Sequence, residues 1–268
     1  FANYPFALAP GMGLNAYFAY TVVLGMGYSW EVALAAVLTE GIIFIILSCF
    51  NIREAIFNAI PFNLKKAVSV GIGLFITFLG LQNAKIVIGG ATLVGLFSID
   101  DYNGTLADGL TASMSDAGIT VLLAVFGVLI TGILIVKNVK GNILWGILIT
   151  WILGIICQFA GIYIPNPELG FYNLLPDFSN GISIPSLAPI MFKFSLKGVP
   201  VLEFIVIVFA FLFVDLFDTL GTLIGVSAKA DMLDSEGRLP RIKGALLADA
   251  VGTTCGACLG TSTVTTFV

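Results

Sequence analysis

Long apolar stretches recur along this sequence and constrain its fold more than any other feature. An α-helix rises about 1.5 Å per residue, so about 20 mostly apolar residues are needed to cross the hydrocarbon core of a bilayer. Five stretches meet or approach that length: residues 31–50, 67–84, 117–136, 143–164 and 199–226. A sixth, 244–259, is shorter and rich in small residues. The sequence therefore predicts an all-α polytopic membrane protein.

The composition supports this class and argues against several others. Hydrophobic residues make up 58% of the chain and charged residues 10%, against roughly 45–50% and about 25% in soluble domains. The small net charge of -4 and the lack of a basic patch argue against a nucleic-acid partner. Histidine is absent, which removes the commonest metal ligand and general base. We therefore expect no enzyme, no metal site and no cofactor, and any proton chemistry falls to carboxylates.

The basic residues are distributed unevenly between the connections. Nine of the twelve Lys and Arg residues fall in three alternate connections, 51–66, 137–142 and 227–243. The positive-inside rule places these connections in the cytoplasm of a multi-pass protein of the cytoplasmic membrane. In the first of them, Ile52, Ile56 and Ile60 share one helical face. This pattern predicts a short helix lying at the cytoplasmic membrane interface.

The first apolar segment is interrupted. Pro10, Gly11 and Gly13 break any helix there, and the apolar piece 14–28 that follows is too short to span a bilayer alone. The stretch is either an extramembrane turn with a surface helix or one discontinuous membrane segment. Apolar residues on both sides of the break favour the discontinuous segment. Such backbone is tolerated at membrane depth where it is buried in protein or lines a cavity, as in transporters with broken helices.

A second segment, at residues 260–266, also departs from the pattern of a continuous membrane helix. Residues 260–266 are small, β-branched and polar, although their context is that of a membrane segment. The alternation of Thr261, Thr263 and Thr265 favours a short strand. The alternative is a helix that packs on its neighbours through these hydroxyl groups.

An acidic face lies within the most apolar stretch, 199–226. Asp215, Asp218, Thr219 and Thr222 are spaced so that they share one side of a helix. Ionisable residues inside a span are candidates for function, and two aspartates one turn apart in a low dielectric resist ionising together. The pattern predicts a proton-binding site. The alternative is a structural aspartate pair tied to neighbouring helix ends, although no span contains a lysine or arginine as an obvious partner.

Two further carboxyl groups lie inside predicted spans. Asp249 falls in the sixth stretch, where a structural brace and a functional role are equally consistent with the sequence. Glu40 lies in the middle of the stretch 31–50, beside Thr39. It is expected either to face a cavity or to bond to a neighbouring helix.

Three motifs resemble one transporter family. Residues 3–18, NYPFALAPGMGLNAYF, closely resemble the third membrane segment of the nucleobase–ascorbate transporter family, in its AzgA-like branch of guanine, hypoxanthine and adenine permeases. Residues 213–222, FVDLFDTLGT, resemble its eighth segment, and residues 260–266, GTSTVTT, its tenth. The resemblance covers essentially the whole chain, in order and spacing.

This resemblance implies an architecture. The family has fourteen membrane segments in two inverted repeats of seven, with short antiparallel strands crossing in segments three and ten. The chain is then an internal fragment that spans segments three to nine and the start of ten. Residues 1–50 and 199–268 would belong to a core domain, and residues 51–198 to a gate domain.

The resemblance also implies a site. Asp215 would bind the purine ring nitrogens, residues of the third and tenth segments would line the site, and a glutamate is expected just after Val268. The expected substrate-binding residues are Asp215, Asn15, Ala16, Tyr17, Thr261, Ser262 and Thr263. The residues expected to serve proton coupling or support are Asp218, Thr219, Thr222 and Asp249.

The expected function is proton-coupled import of a purine base: guanine, hypoxanthine, adenine or xanthine. The proton is the coupling ion, no other cofactor is expected, and the partners are the purine, the lipid bilayer and, by analogy, a second copy in a homodimer. The alternative is an anion carrier of the same inverted-repeat architecture for sulfate or bicarbonate. The acidic face argues against that alternative because Asp215 and Asp218 would repel anions.

Overall fold

The computed structural model describes residues 1–90, 93–97, 113–176, 181, 186–234 and 238–267. Its helices are α1 Met12–Ala16, α2 Trp30–Cys49, α3 Ile52–Ala59, α4 Phe62–Asn83, α5 Ile119–Val136, α6 Asn142–Phe159, α7 Val201–Lys229 and α8 Ile242–Leu259. A π-helical stretch, Tyr17–Gly25, continues α1, and another, Met114–Gly118, leads into α5. The strands are β1 Leu8–Pro10, β2 Val87–Gly90, β3 Leu93–Leu96 and β4 Val264–Thr266.

Membrane-spanning capacity agrees with the sequence for four of the five predicted spans and for the shorter sixth stretch. Five of the described helices are long and apolar enough to cross a bilayer: Trp30–Cys49, Lys66–Asn83, Met114–Val136, Asn142–Phe159 and Ile242–Leu259. The predicted span 199–226 forms α7, whose 29 residues give a length of about 43 Å. The prediction of an all-α polytopic membrane protein is therefore confirmed.

The chain forms two compact units, one made of residues 1–74 and 184–268 and the other of residues 75–183. The boundary between them falls within α4. The predicted core domain, residues 1–50 and 199–268, and the predicted gate domain, residues 51–198, stay predictions, because compactness alone does not identify the parts that move during transport.

The first unit is built around α2, which packs against α8 and α7. The first half of α2 is buried on nearly every side and is rich in alanine, as in Ala33 and Ala36. Small residues let membrane helices approach closely. At Gly41, a Cβ atom would lie 3.0 Å from the backbone nitrogen and 3.1 Å from the Cα atom of Thr254 on α8. The absence of a side chain at Gly41 thus sets the separation of α2 and α8.

The two interrupted segments pair with each other. β1 and β4 are antiparallel, with Ala9 opposite Thr265 and Pro10 opposite Val264. The pairing extends beyond the strands, since the Gly11 N–H donates to the Thr263 carbonyl at 3.1 Å. Helix α1 begins directly after this break. Both predictions, the discontinuous first segment and the strand near the end of the chain, are confirmed.

The second unit is built around the α5–α6 pair. Its contact is reciprocal: Gly127 of α5 faces Thr150 of α6, and Gly146 of α6 faces Thr131 of α5. Each threonine hydroxyl donates to the carbonyl of the glycine four residues earlier on its own helix, at 2.7 Å. The helices therefore approach at two glycines, while the hydroxyl groups stay bonded within each helix.

The second unit also contains an antiparallel hairpin that the sequence analysis did not predict. β2 and β3 pair with Val87 opposite Leu96 and Gly90 opposite Leu93. A Cβ atom at Gly90 would lie 2.9 Å from the backbone nitrogen of Gly95. The stretch is too short and too glycine-rich for a clear alternation of apolar and polar residues, which explains why the pattern was not visible.

The α2–α8 contact yields a first testable prediction. Gly41→Ala places a methyl group against the backbone of Thr254, so we expect the variant of the full-length protein to lose about 1–3 kcal/mol of stability. The measurement is the thermal unfolding temperature of purified protein in detergent. Gly71→Ala is the matched control, because a Cβ atom there has open space in this structure. Equal unfolding temperatures for the two variants would contradict the packing described.

Candidate functional site

Buried polar side chains of the first unit gather where α2, α3, α7, α8 and β4 meet. A polar group buried away from water is costly unless it is hydrogen-bonded, and a charged group must also be paired. The contacts that these side chains make therefore decide what the cluster can do. The buried polar residues of this region are Glu40, Arg53, Asp215, Thr219, Thr222, Asp249, Thr253, Thr263, Thr265 and Thr266.

Arg53 is the cation of this cluster. It lies near the start of α3, yet only 2% of its side chain is exposed. Its Nη2 atom donates to Asp249 Oδ2 at 3.0 Å and lies 3.9 Å from Asp215 Oδ2. Its Nη1 atom donates to the Leu246 carbonyl at 3.0 Å. The guanidinium carbon lies 3.8 Å from the centroid of the Phe44 ring, a cation–π arrangement.

Arg53 was not predicted as a site residue, because it lies outside the predicted spans, where a partner for the aspartates was expected. The residue belongs to a connection that was expected to lie at the membrane interface, and nothing in the local pattern shows that its side chain turns inward. The helix predicted in this connection is present as α3. The ion pair with Asp249 supports the bracing role that the sequence left open for that aspartate.

Thr219 connects three elements through one hydroxyl group. Its Oγ1 atom lies 3.0 Å from Asp215 Oδ1 on α7 and 3.2 Å from Asp249 Oδ2 on α8. It also lies 3.2 Å from the hydroxyl oxygen of Thr265 on β4. A hydroxyl group has one proton to donate, so Thr219 can serve only one of the two carboxyl groups at a time. In the contact between the two hydroxyl groups, Thr265 is then the donor and Thr219 the acceptor.

Asp218 lies apart from this buried network. It is half-buried, and its Oδ2 atom would be 3.2 Å from a Cβ atom at Gly11. The methyl carbon of Thr265 would be 2.9 Å from the same position. Gly11 therefore allows the break after β1 to approach both α7 and β4. Thr222 donates to the backbone carbonyl of Asp218 at 2.8 Å, so its hydroxyl group is bonded within α7.

The remaining predicted site residues lie near the strand crossing. Ser262 Oγ donates to Asn15 Oδ1, which joins the two interrupted segments through side chains. Thr261 Oγ1 donates to the Ser262 carbonyl at 3.1 Å. Ala16 ends α1. The Tyr17 ring stands edge-on to Phe211 of α7, with 4.8 Å between ring centroids.

Glu40 belongs to the same cluster. Thr263 Oγ1 donates to Glu40 Oε2 at 2.7 Å, so the carboxyl group of α2 bonds to the segment that leads into β4. Its other oxygen, Oε1, has no hydrogen-bond partner within the part of the chain that the structure describes, and the same holds for Asp215 Oδ2 and Asp249 Oδ1. These three buried acceptors are therefore available to a donor on a bound molecule.

Apolar spanning helices, with two crossing strands at their breaks beside an acidic helix, are the arrangement typical of secondary transporters with discontinuous membrane segments. The chain belongs to the Permease family (Xan_ur_permease), whose model matches residues 1–268.

Relatives of known name are similar over the whole chain. MJ0326 of Methanocaldococcus jannaschii is 47% identical over 100% of this chain and 55% of its own length. The guanine/hypoxanthine permease PbuG of Bacillus subtilis is 42% identical, over 100% of this chain and 54% of its own. The adenine permease AdeQ of Escherichia coli is 34% identical, over 100% and 53%. The chain spans about half the length of the curated relatives it matches.

The attachment of β4 to α8 yields a second prediction. Thr253 Oγ1 donates to the Val264 carbonyl at 2.9 Å and accepts from the Val264 N–H at 3.2 Å. Thr253→Val keeps the shape but leaves two buried backbone groups unpaired, so we expect a loss of about 1–3 kcal/mol. Thermal unfolding of the purified full-length protein measures this loss. Thr254→Val is the control, because among the described residues that hydroxyl group donates to the Ala250 carbonyl of its own helix.

The contrast between these two neighbouring positions is the test. We expect the unfolding temperature of Thr253→Val to fall well below that of Thr254→Val, since only the first substitution releases a strand. Equal losses at both positions would mean that Thr253 does not anchor β4.

Proposed function

We propose that the complete protein is a proton-coupled carrier that imports purine bases across the cytoplasmic membrane. Family membership supports the transport class, and the names of the similar guanine/hypoxanthine and adenine permeases support purine bases as substrates. One observation supports a base-binding role for this site above all others. Asp215 presents a buried carboxyl oxygen without a hydrogen-bond partner in the described residues, next to the crossing of β1 and β4.

The chemistry of a purine suits such a group. The ring N–H groups of a purine are donors, and a carboxylate accepts hydrogen bonds only. A buried acceptor that stays unpaired with the wrong ligand discriminates strongly against it. In this proposal Asp215 holds the ring nitrogens, and the lining comes from both interrupted segments. The lining residues are Asn15, Ala16, Tyr17, Thr261, Ser262 and Thr263.

Access to the site requires movement. Asp215 has no exposed surface in this structure, so a base can reach its carboxyl group only if the strand crossing or a neighbouring helix shifts. Alternating access by the movement of one bundle against another meets this requirement. The half-buried Asp218, beside Gly11, is the proposed proton carrier. Thr219, Thr222 and Asp249 support the two aspartates.

Asp215→Asn tests the substrate role. It removes the charge and introduces a donor where the base must donate, so we expect hypoxanthine uptake to fall by roughly a hundredfold or more. Uptake of radiolabelled hypoxanthine is measured with the full-length protein in cells that lack their own purine carriers. Asp231→Asn, at an exposed position with a left-handed backbone that asparagine tolerates, is the matched control.

Competition assays give the same experiment a second readout. We expect excess unlabelled guanine or adenine to inhibit uptake by the wild-type protein, and sulfate to have no effect. Normal uptake by an Asp215→Asn protein of normal abundance would contradict the assignment of this residue. Inhibition by sulfate instead of purines would contradict the proposed substrate class.

Asp218→Asn tests the proton role. Without a proton carrier the protein should still exchange internal for external hypoxanthine, but it should no longer accumulate the base against a gradient. The measurements are counterflow in preloaded vesicles and accumulation with and without a protonophore. Accumulation that stays sensitive to the protonophore in this variant would show that the proton binds elsewhere.

A further inference from the structure

We propose that Arg53 is a positioning residue for transport, whose guanidinium group orients the Asp215 carboxyl group for the substrate while staying bound to Asp249. This inference rests on the proposed function, because it assigns a role within the same site. It comes from the placement of one cation between two carboxyl groups at unequal distances.

The unequal distances separate the two aspartates. Arg53 Nη2 donates to Asp249 Oδ2 at 3.0 Å, a direct charge-assisted hydrogen bond, whereas Asp215 Oδ2 lies 3.9 Å away, beyond hydrogen-bonding distance. Asp249 therefore anchors the guanidinium group. Asp215 experiences the positive charge but keeps an oxygen free for a ligand donor. A substrate-binding carboxylate needs both conditions, since an uncompensated buried charge is costly and a fully bonded one cannot bind a base.

The cation is fixed independently of Asp215. Its other partners are the Leu246 carbonyl on α8 and the ring of Phe44 on α2. These contacts hold the guanidinium plane, so its position need not change when a base takes the free oxygen of Asp215. Binding groups that are held in place before the ligand arrives avoid a cost of ordering during binding.

The charges of the cluster are uneven. Within the described residues, Arg53 is the buried cation of the cluster, and the buried carboxyl groups near it are those of Glu40, Asp215 and Asp249. A residue that only joined α3 to α8 would need no more than the contact with Asp249. Arg53 also lies 3.9 Å from Asp215, which indicates a second role.

The test separates positioning from bracing. Arg53→Gln alone leaves Asp249 unpaired, and we expect less folded protein for that reason. The double variant Arg53→Gln/Asp249→Asn removes both charges of the pair, so we expect protein abundance and unfolding temperature to recover part of what the single variant loses, although Asp215 still lacks its cation. If Arg53 positions Asp215, the double variant should still show a KM for hypoxanthine raised roughly tenfold or more, with a smaller change in maximal rate. Wild-type KM in the double variant would overturn the proposal.

Two further variants keep the test decisive. Arg241→Gln removes an exposed arginine from the connection between α7 and α8, and its KM should match wild type. If the double variant does not accumulate, Arg53→Lys decides, because lysine keeps the charge but lacks the rigid fork of arginine. We expect a raised KM for Arg53→Lys, and an unchanged KM would overturn the proposal.

A measurement without substrate distinguishes this inference from the proposed function. A double-mutant cycle of Arg53→Lys with Asp215→Asn on the unfolding temperature should show that the two effects are not additive, as expected for residues in one charge network. Strict additivity would overturn the link between Arg53 and Asp215. If the wild-type protein transports no purine, the proposed function fails, while this cycle still decides whether Arg53 acts on Asp215.

Discussion

The pairing of β1 with β4 is the interaction on which the rest of the site depends. A break in a membrane helix exposes backbone N–H and C=O groups, and lipid offers them no partners. Each strand supplies partners for the other, and the Gly11 N–H bond to the Thr263 carbonyl extends the pairing past their ends. Polar backbone and hydroxyl groups can therefore sit inside an apolar bundle, and the helix faces of α2, α7 and α8 are arranged around them.

Charge pairing is the second constraint. It explains why Arg53, a residue of the connection between two spans, is buried within the first unit. Three carboxyl groups in the same buried region need a cation, yet a cation on a spanning helix would itself have to face the site. Arg53 lies on α3 and reaches Asp249 through a long side chain, while its guanidinium carbon lies over the Phe44 ring. The Thr219 hydroxyl group can donate its one proton either to Asp215 or to Asp249. A change in the charge of one of these aspartates therefore also changes the hydrogen bonds available to the other.

The parts of the structure that the sequence predicted are those governed by local rules. The spans follow from length and hydropathy, the break from Pro10 and Gly11, and β4 from the alternation of threonines. The inward turn of Arg53, the bond from Thr263 to Glu40 and the β2–β3 hairpin depend on partners far away in the chain. Periodicity shows which face of a helix is apolar, but it does not show which long side chain at an interface reaches a buried carboxyl group. The two interrupted segments were thus predictable from the sequence, whereas the burial of the Arg53 side chain beside Asp249 was not.

The pairing of β1 with β4 also has a consequence for synthesis and folding. The two strands lie near opposite ends of this chain, so their pairing closes a loop that contains almost the whole described sequence. Contacts between residues distant in sequence form late, because the entropy of loop closure must be overcome before they contribute. The helices are therefore expected to enter the membrane before β1 and β4 pair. Until β4 is made, the break after Pro10 has no partner strand, and a ribosome that stalls between the two strands would leave an inserted protein in which this break is unpaired.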